Sequence, residues 1–291
     1  MGSLRRVTRV EIPHPDEAAT IVGTLEQVEP DQLTQGRKIA LILHGTMGHK
    51  DYLYQRRLAQ RLPFDSFRFD FRGNHESSGK WRQGNVVGDA IDIQVVVNYL
   101  KQTYGYSIEL LVGHSLGSLA SFNWICHTND GQNLPAFINV SGRYRMKVSD
   151  SAKTWREAVQ ERGYHEITIS VAKKPATFRI YPDDLDNFAN WDTSFVWDRF
   201  PAATDVLSIH GLSDATVPPF DALIYAKVLS ARPAGTHSLH LMEGADHNFI
   251  GHHDEVVDSI IEWWGLRQRG GLKTGIWIPT STKLDIPGVR L

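Results

Sequence analysis

Apolar residues follow two rhythms along this chain. Some stand in short runs of strand length, such as Ile39-Ala40-Leu41-Ile42-Leu43 and Ile108-Glu109-Leu110-Leu111-Val112. Others recur every three or four residues, as Ala90, Ile93, Val96, Val97 and Leu100 do ahead of Gly105. A continuous run suits a parallel strand covered on both faces, whereas the second spacing lines one side of a helix. The pattern predicts an antiparallel hairpin from residues 6–12 and 20–25, broken by Pro13 and Pro15 and placed at a sheet edge. Strands follow at 39–43, 66–71, 108–112 and 136–140, with helices at 90–100 and 119–126 between them. After residue 201 the alternation resumes, with strands at 205–210 and 238–242 and helices at 220–228 and 254–264, the last capped by Asp254. This is the signature of an α/β protein with a mostly parallel sheet and helices on both faces, whose ligands bind at the carboxyl ends of the strands.

Between residues 143 and 200 the rhythm breaks. Residues 151–162 read as a helix around Trp155, and 166–171 and 176–181 as two strands joined across Lys173-Lys174-Pro175. Ten of the 29 aromatic residues (12 Phe, 8 Trp and 9 Tyr) lie in this fifth of the chain. Such an excess suits a cap, or lid, that lines an apolar pocket, and equally one that buries only its own small core. Trp155, Phe188, Trp191, Phe195 and Trp197 are the candidates for substrate contact. The chain thus divides into a core at 1–142, an inserted cap at 143–200, the rest of the core at 201–265 and a tail at 266–291. Within the tail, Ile276-Trp277-Ile278 either folds back on its own domain, the simpler expectation, or packs on a second subunit as a homodimer contact.

Composition narrows the function more than the fold. The 291 residues fit one large domain with an insertion, and 41% apolar with 22% charged residues describes a soluble globular protein. A formal net charge of −2 gives no reason to expect nucleic acid or anionic lipid, so a neutral or weakly charged small ligand is expected. Cys126 is the only cysteine, which excludes an intramolecular disulfide and suits a small buried core residue. No apolar leader follows Met1 and no run of 18 apolar residues occurs, so the expected location is cytoplasmic, with no membrane partner. The Asn139-Val140-Ser141 sequon falls on a predicted buried strand and is discounted, and the terminal Val289-Arg290-Leu291 is a poor match to a peroxisomal address.

The candidate chemistry centres on Gly113-His114-Ser115-Leu116-Gly117, a G-x-S-x-G pentapeptide between a strand and a helix. A serine on such a tight turn projects its hydroxyl clear of the backbone, beside the positive end of a helix. It needs a base within hydrogen-bond reach and an acid to orient that base. His247 follows the strand ending at Met242 and is the leading base among 13 histidines, with His252 and His253 as second choices. His114 should point away from Ser115 across the turn. Asp214 lies four residues past the strand that ends at His210 and is the leading acid; Asp246 competes because it adjoins His247, although neighbouring side chains on an extended loop diverge. Backbone N–H groups of Leu116 and of Thr46, or less favourably Met47, would hold an oxyanion. No spacing near His247, His252 and His253 offers three ligands for a metal.

Five ordered motifs together resemble the α/β-hydrolase superfamily. They are His44-Gly45-Thr46-Met47-Gly48, Asp70-Phe71-Arg72-Gly73-Asn74-His75-Glu76-Ser77-Ser78-Gly79, the pentapeptide, Ile209-His210-Gly211-x-x-Asp214 and Gly244-Ala245-Asp246-His247. The branch they most resemble is the feruloyl/cinnamoyl esterase-like and serine-aminopeptidase-like hydrolases. Thr46 stands where that branch often carries an aromatic residue, Leu116 where it often carries Gln, and His75 where a second glycine is common. The resemblance implies an α/β-hydrolase fold with a cap after strand 6, and ester hydrolysis through an acyl-enzyme with no metal or cofactor. It also implies Ser115, Asp214 and His247 as the catalytic triad, acting on small to medium acyl or aromatic-acyl esters. The same triad could instead serve thioester, lactone or C–C bond hydrolysis or acyl transfer, and a non-catalytic ligand-binding protein of this fold is the second alternative.

Overall fold

The computed structural model describes residues 5–146 and 151–281; residues 1–4, 147–150 and 282–291, including Val289-Arg290-Leu291 and the end of the expected tail, lie outside it. The chain opens with β1 (Arg6–Pro13) and β2 (Thr20–Gln27), an antiparallel hairpin. It continues through β3 (Lys38–Leu43), α1 (Gln55–Arg61), β4 (Asp65–Asp70) and α2 (Val86–Tyr99), whose end is a π-helical turn over Leu100–Tyr104. Gly105 stops that turn at φ +73°, a conformation natural to glycine. Next come β5 (Ser107–His114), α3 (Leu116–His127), the short α4 (Asn129–Gln132) and β6 (Ala136–Val140). The insertion holds α5 (Ser151–Arg162), a hairpin of β7 (His165–Val171) and β8 (Lys174–Ile180), α6 (Pro182–Ala189) and α7 (Phe195–Arg199). The chain then runs through β9 (Asp205–Gly211), α8 (Phe220–Ser230), β10 (His237–Met242), α9 (His253–Gln268) and β11 (Gly275–Ile276).

Nine strands form one sheet in the order β1-β2-β4-β3-β5-β6-β9-β10-β11, parallel from β4 onward. The hairpin is its antiparallel edge. The unbroken apolar run of β3 is sorted between two cores by the period of two in a strand. Leu41 and Leu43 join Phe67, Phe69, Ile93, Val96 and Phe122 on the face covered by α2, α3 and α8. Ala40 and Ile42 join Leu58, Val112, Val257, Ile260 and Trp263 on the face covered by α1 and α9. Helices therefore cover both faces, and the loops at the carboxyl ends of β3, β5, β6, β9 and β10 converge on one rim.

Three local expectations are corrected. The β7–β8 turn is two residues, Ala172 and Lys173 at φ +48° and +66°, so Lys174 and Pro175 belong to β8. Paired positive φ angles suit a tight hairpin, and proline is tolerated because a strand in a two-stranded ribbon always has an open side. The helix after the last histidines is capped by His252, without a side-chain cap bond, and Asp254 sits in its first turn, paired with Arg57 at 3.1 Å. That helix also continues past Trp264 to Gln268. The tail then returns to its own domain: β11 pairs in parallel with β10, and Trp277 packs on the second core while Ile276 and Ile278 stay exposed. No helix among the described residues is long and apolar enough to cross a membrane.

Candidate active site

Ser115 joins β5 to α3 at φ +53° and ψ −116°, outside the regions that side-chain-bearing residues normally occupy. The neighbouring glycines make the turn sterically feasible. A Cβ on Gly113 would lie 2.7 Å from the Gly117 carbonyl oxygen, and one on Gly117 would lie 2.5 Å from that of His44. The Ser115 N–H donates to the Val140 carbonyl at 2.9 Å, tying the turn to β6.

His247, on the loop after β10, places Nε2 2.9 Å from Ser115 Oγ and Nδ1 2.8 Å from Asp214 Oδ2. A carboxylate can only accept, so Nδ1 carries the proton and Nε2 faces the serine hydroxyl as acceptor. Asp214 is buried on the loop after β9. Its Oδ1 accepts from the N–H groups of Thr216 and Val217 at 2.8 and 2.7 Å. Burial alone would raise its pKa, but hydrogen bonds from His210 and His247 outweigh that and hold it below the usual carboxylate range. His210 Nε2 lies 3.3 Å from Asp214 Oδ2 and 2.9 Å from the Val217 carbonyl. It is a second donor on the carboxylate that sequence reasoning overlooked, although the His210-Gly211 step that ends β9 marks it. Asp246 faces elsewhere, accepting from the N–H groups of Asn248 and Ile250. His253 bonds the Asn248 carbonyl and His252 faces Glu255.

Two further histidines hold the loops around this chain of bonds. His44 accepts from the Phe71 N–H at Nε2 (3.1 Å) and therefore donates from Nδ1 to the Gly45 carbonyl (2.7 Å). His114 turns away from Ser115 and donates from Nε2 to the His247 carbonyl at 3.0 Å. Burial lowers their pKa values to about 4 and about 3, so both rings stay neutral at neutral pH. His237 on β10, bonded to Ser208 and Ser230, is likewise lowered by burial to about 3.

These three histidines make stability pH-dependent. The unfolded chain protonates them near pH 6.5, the folded chain only near pH 4 or 3, so between those limits the unfolded state binds more protons. Stability is then lost as pH falls below about 6.5, by about 2 kcal/mol per histidine at pH 5. Asp92 on α2 opposes this, since burial raises its carboxyl to about 6 and its protonation favours the folded state. His237→Gln should lower the proton uptake on unfolding at pH 5 by about one, read as the slope of unfolding free energy against pH. An unchanged slope would mean that the folded ring titrates normally.

Ser115 and His247 open into a cavity of about 410 Å³ that Thr46 and Leu116 also line. Leu116 carries the first N–H of α3, and Thr46 lies on the loop after β3 that His44 anchors. Of the aromatic candidates, Trp155 and Phe188 line the cavity, joined by Leu185, Leu119 and Val217. Trp191, Phe195 and Trp197 do not. Trp191 packs with Leu116 and Leu119 and meets Phe195 edge-on, and Phe195 packs on the first core. Trp197 is half exposed, its Nε1 donating to Tyr144 Oη at 2.7 Å. Cys126 and Asn139 are both buried, away from solvent. Among the described residues no three or more His, Cys, Asp or Glu side chains form a group that could hold a metal ion.

Comparison with known proteins adds the family. The profile of the alpha/beta hydrolase fold matches residues 40–165. The uncharacterized protein YDL057W of Saccharomyces cerevisiae is 30% identical over 258 residues, covering 79% of this chain and 74% of that protein. The crystal structure of an Agrobacterium tumefaciens protein of unknown function, assigned to the alpha/beta hydrolases, superposes with a TM-score of 0.65 at 18% identity, over 91% of this chain and 98% of that one. Est1E from Butyrivibrio proteoclasticus with ferulic acid bound gives 0.66 at 18% identity, over 90% and 99%. With its parallel sheet, two-sided helical cover and serine-bearing turn, the chain belongs to the alpha/beta hydrolase family.

Proposed function

We propose that this protein is a serine hydrolase of carboxylic esters that works through an acyl-enzyme. The observation that carries the reading is the unbroken hydrogen-bond chain from Ser115 Oγ through His247 to Asp214 at the wall of one cavity. In this reading His247 removes the hydroxyl proton as Ser115 attacks the ester carbonyl, then returns it to the leaving alcohol. Water repeats the sequence on the acyl-enzyme. Asp214 fixes the ring tautomer and faces the imidazolium that forms. The N–H groups of Thr46 and Leu116 would receive the oxyanion, a contact whose loss typically costs on the order of 10²-fold or more in rate. Trp155, Phe188 and Leu185 supply an apolar wall from the insertion, which acts as a cap over the site.

A fluorophosphonate probe tests this directly. Intact protein should gain one equivalent, located on Ser115 by peptide mass spectrometry, and should hydrolyse p-nitrophenyl acetate or butyrate. Protein that neither labels nor turns over any ester of a panel varying acyl length and aromatic acyl groups would defeat the reading.

A further inference from the structure

Arg143 lies on the loop three residues past the end of β6 and lines the same cavity as Ser115 and His247. One of its five N–H donors is in use, Nη2 donating to the Thr216 carbonyl at 2.6 Å. Among the described residues no carboxylate oxygen lies within 4 Å of its guanidinium. The two nearest acids are engaged elsewhere. Asp214 holds His247, His210 and two amides. Asp221 holds Arg145 Nε at 2.7 Å and the N–H groups of Tyr144 and Arg145. Burial lowers the Arg143 pKa, and those two acids oppose the shift only from a distance. Elsewhere Arg72, Arg82, Arg145 and Arg179 each have a carboxylate partner. A partly buried cation facing Leu119, Val217 and Phe188 loses hydration without a counter-charge, so a ligand that supplies one gains a charge-assisted contact.

We infer that Arg143 is a specificity residue for esters whose alcohol portion carries an anionic group, a carboxylate being the simplest. This rests on the hydrolase reading above. The placement follows from the strand order. β3, whose following loop carries Thr46, lies on one side of β5, and β6 and β9, whose following loops carry Arg143 and Thr216, lie on the other. The oxyanion turns toward Thr46, so the leaving oxygen that His247 protonates turns toward Arg143.

The test uses isosteric pairs, 4-carboxybenzyl butyrate against 4-carbamoylbenzyl butyrate, with hydrolysis followed by chromatography. Wild-type kcat/KM should favour the carboxylate by about 10- to 100-fold, the range for a hydrogen-bonded charge pair, and added salt should shrink the ratio. Arg143→Gln should bring the ratio near one, chiefly through KM, whereas Arg143→Lys should keep part of it because the charge remains without the planar fork. A wild type that turns over both esters with a ratio near or below one overturns the inference and leaves the hydrolase reading standing. So does a preference seen only when the carboxylate sits on the acyl chain. If neither ester reacts and no probe labels, the hydrolase reading fails. Calorimetry of Ser115→Ala with the same pair then decides: about tenfold tighter binding of the carboxylate upholds the anion site, and equal or absent binding removes it.

Discussion

Ser115→Ala should reduce ester turnover by on the order of 10⁴- to 10⁶-fold and abolish fluorophosphonate labelling, with the far-ultraviolet circular dichroism and melting temperature close to wild type. The size of the loss follows from what remains. The variant keeps His247, Asp214 and the Thr46 and Leu116 amides, so it can still bind an ester and polarise its carbonyl. It can no longer form a covalent intermediate, and residual catalysis must come from water attacking directly. Turnover within tenfold of wild type would place the nucleophile elsewhere and remove the mechanism proposed above.

Asp214→Asn should cost about 10⁴-fold in kcat while changing KM little, because it disturbs the proton and not the pocket. The carboxylate accepts from His247 Nδ1–H at 2.8 Å. An amide nitrogen at that position donates instead, which pushes the ring proton to Nε2 and leaves Ser115 with no acceptor. The N–H groups of Thr216 and Val217, which donate to the other oxygen, Oδ1, would favour the amide oxygen on their side and so reinforce the wrong arrangement. Steady-state kinetics on p-nitrophenyl butyrate, with probe-labelling rates in parallel, reads this. A loss smaller than about tenfold would mean that Asp214 only holds its loop through Thr216 and Val217.

Much of this is legible in the sequence, and for a definite reason. The strand of residues 39–43 is buried on both faces, so its apolar run is unbroken and stands out. The pentapeptide around Ser115 is local, since its two glycines answer contacts within one turn and the strand beside it. Asp214 and His247 could be placed because each follows a strand of a parallel sheet, and such strands end on one rim.

What stayed hidden depends on orientation. Aromatic content cannot tell a wall from a filler, and Trp155 and Phe188 face the cavity while Trp191, Phe195 and Trp197 turn into the packing or to solvent. Their directions depend on how α5, α6 and α7 settle on the sheet, which no spacing encodes. Net charge is equally blind to placement. A total of −2 suggested a neutral or weakly charged ligand, but a sum over the chain says nothing of one guanidinium whose neighbouring carboxylates are already engaged. The cap of the last helix was assigned to Asp254 by residue type, whereas the chain turns two residues earlier, at His252.

The dihedral angles of Ser115 bear on how this protein could change. A side chain held at φ +53° and ψ −116° costs on the order of 1–3 kcal/mol, which only glycine would largely escape. Laboratory evolution screened on thermal robustness alone would therefore be drawn toward glycine at position 115 and end with a sturdier, inert chain. Persistence of the turn with its hydroxyl requires a selection that reads chemistry, and any thermostability campaign on this scaffold should screen for turnover in every round.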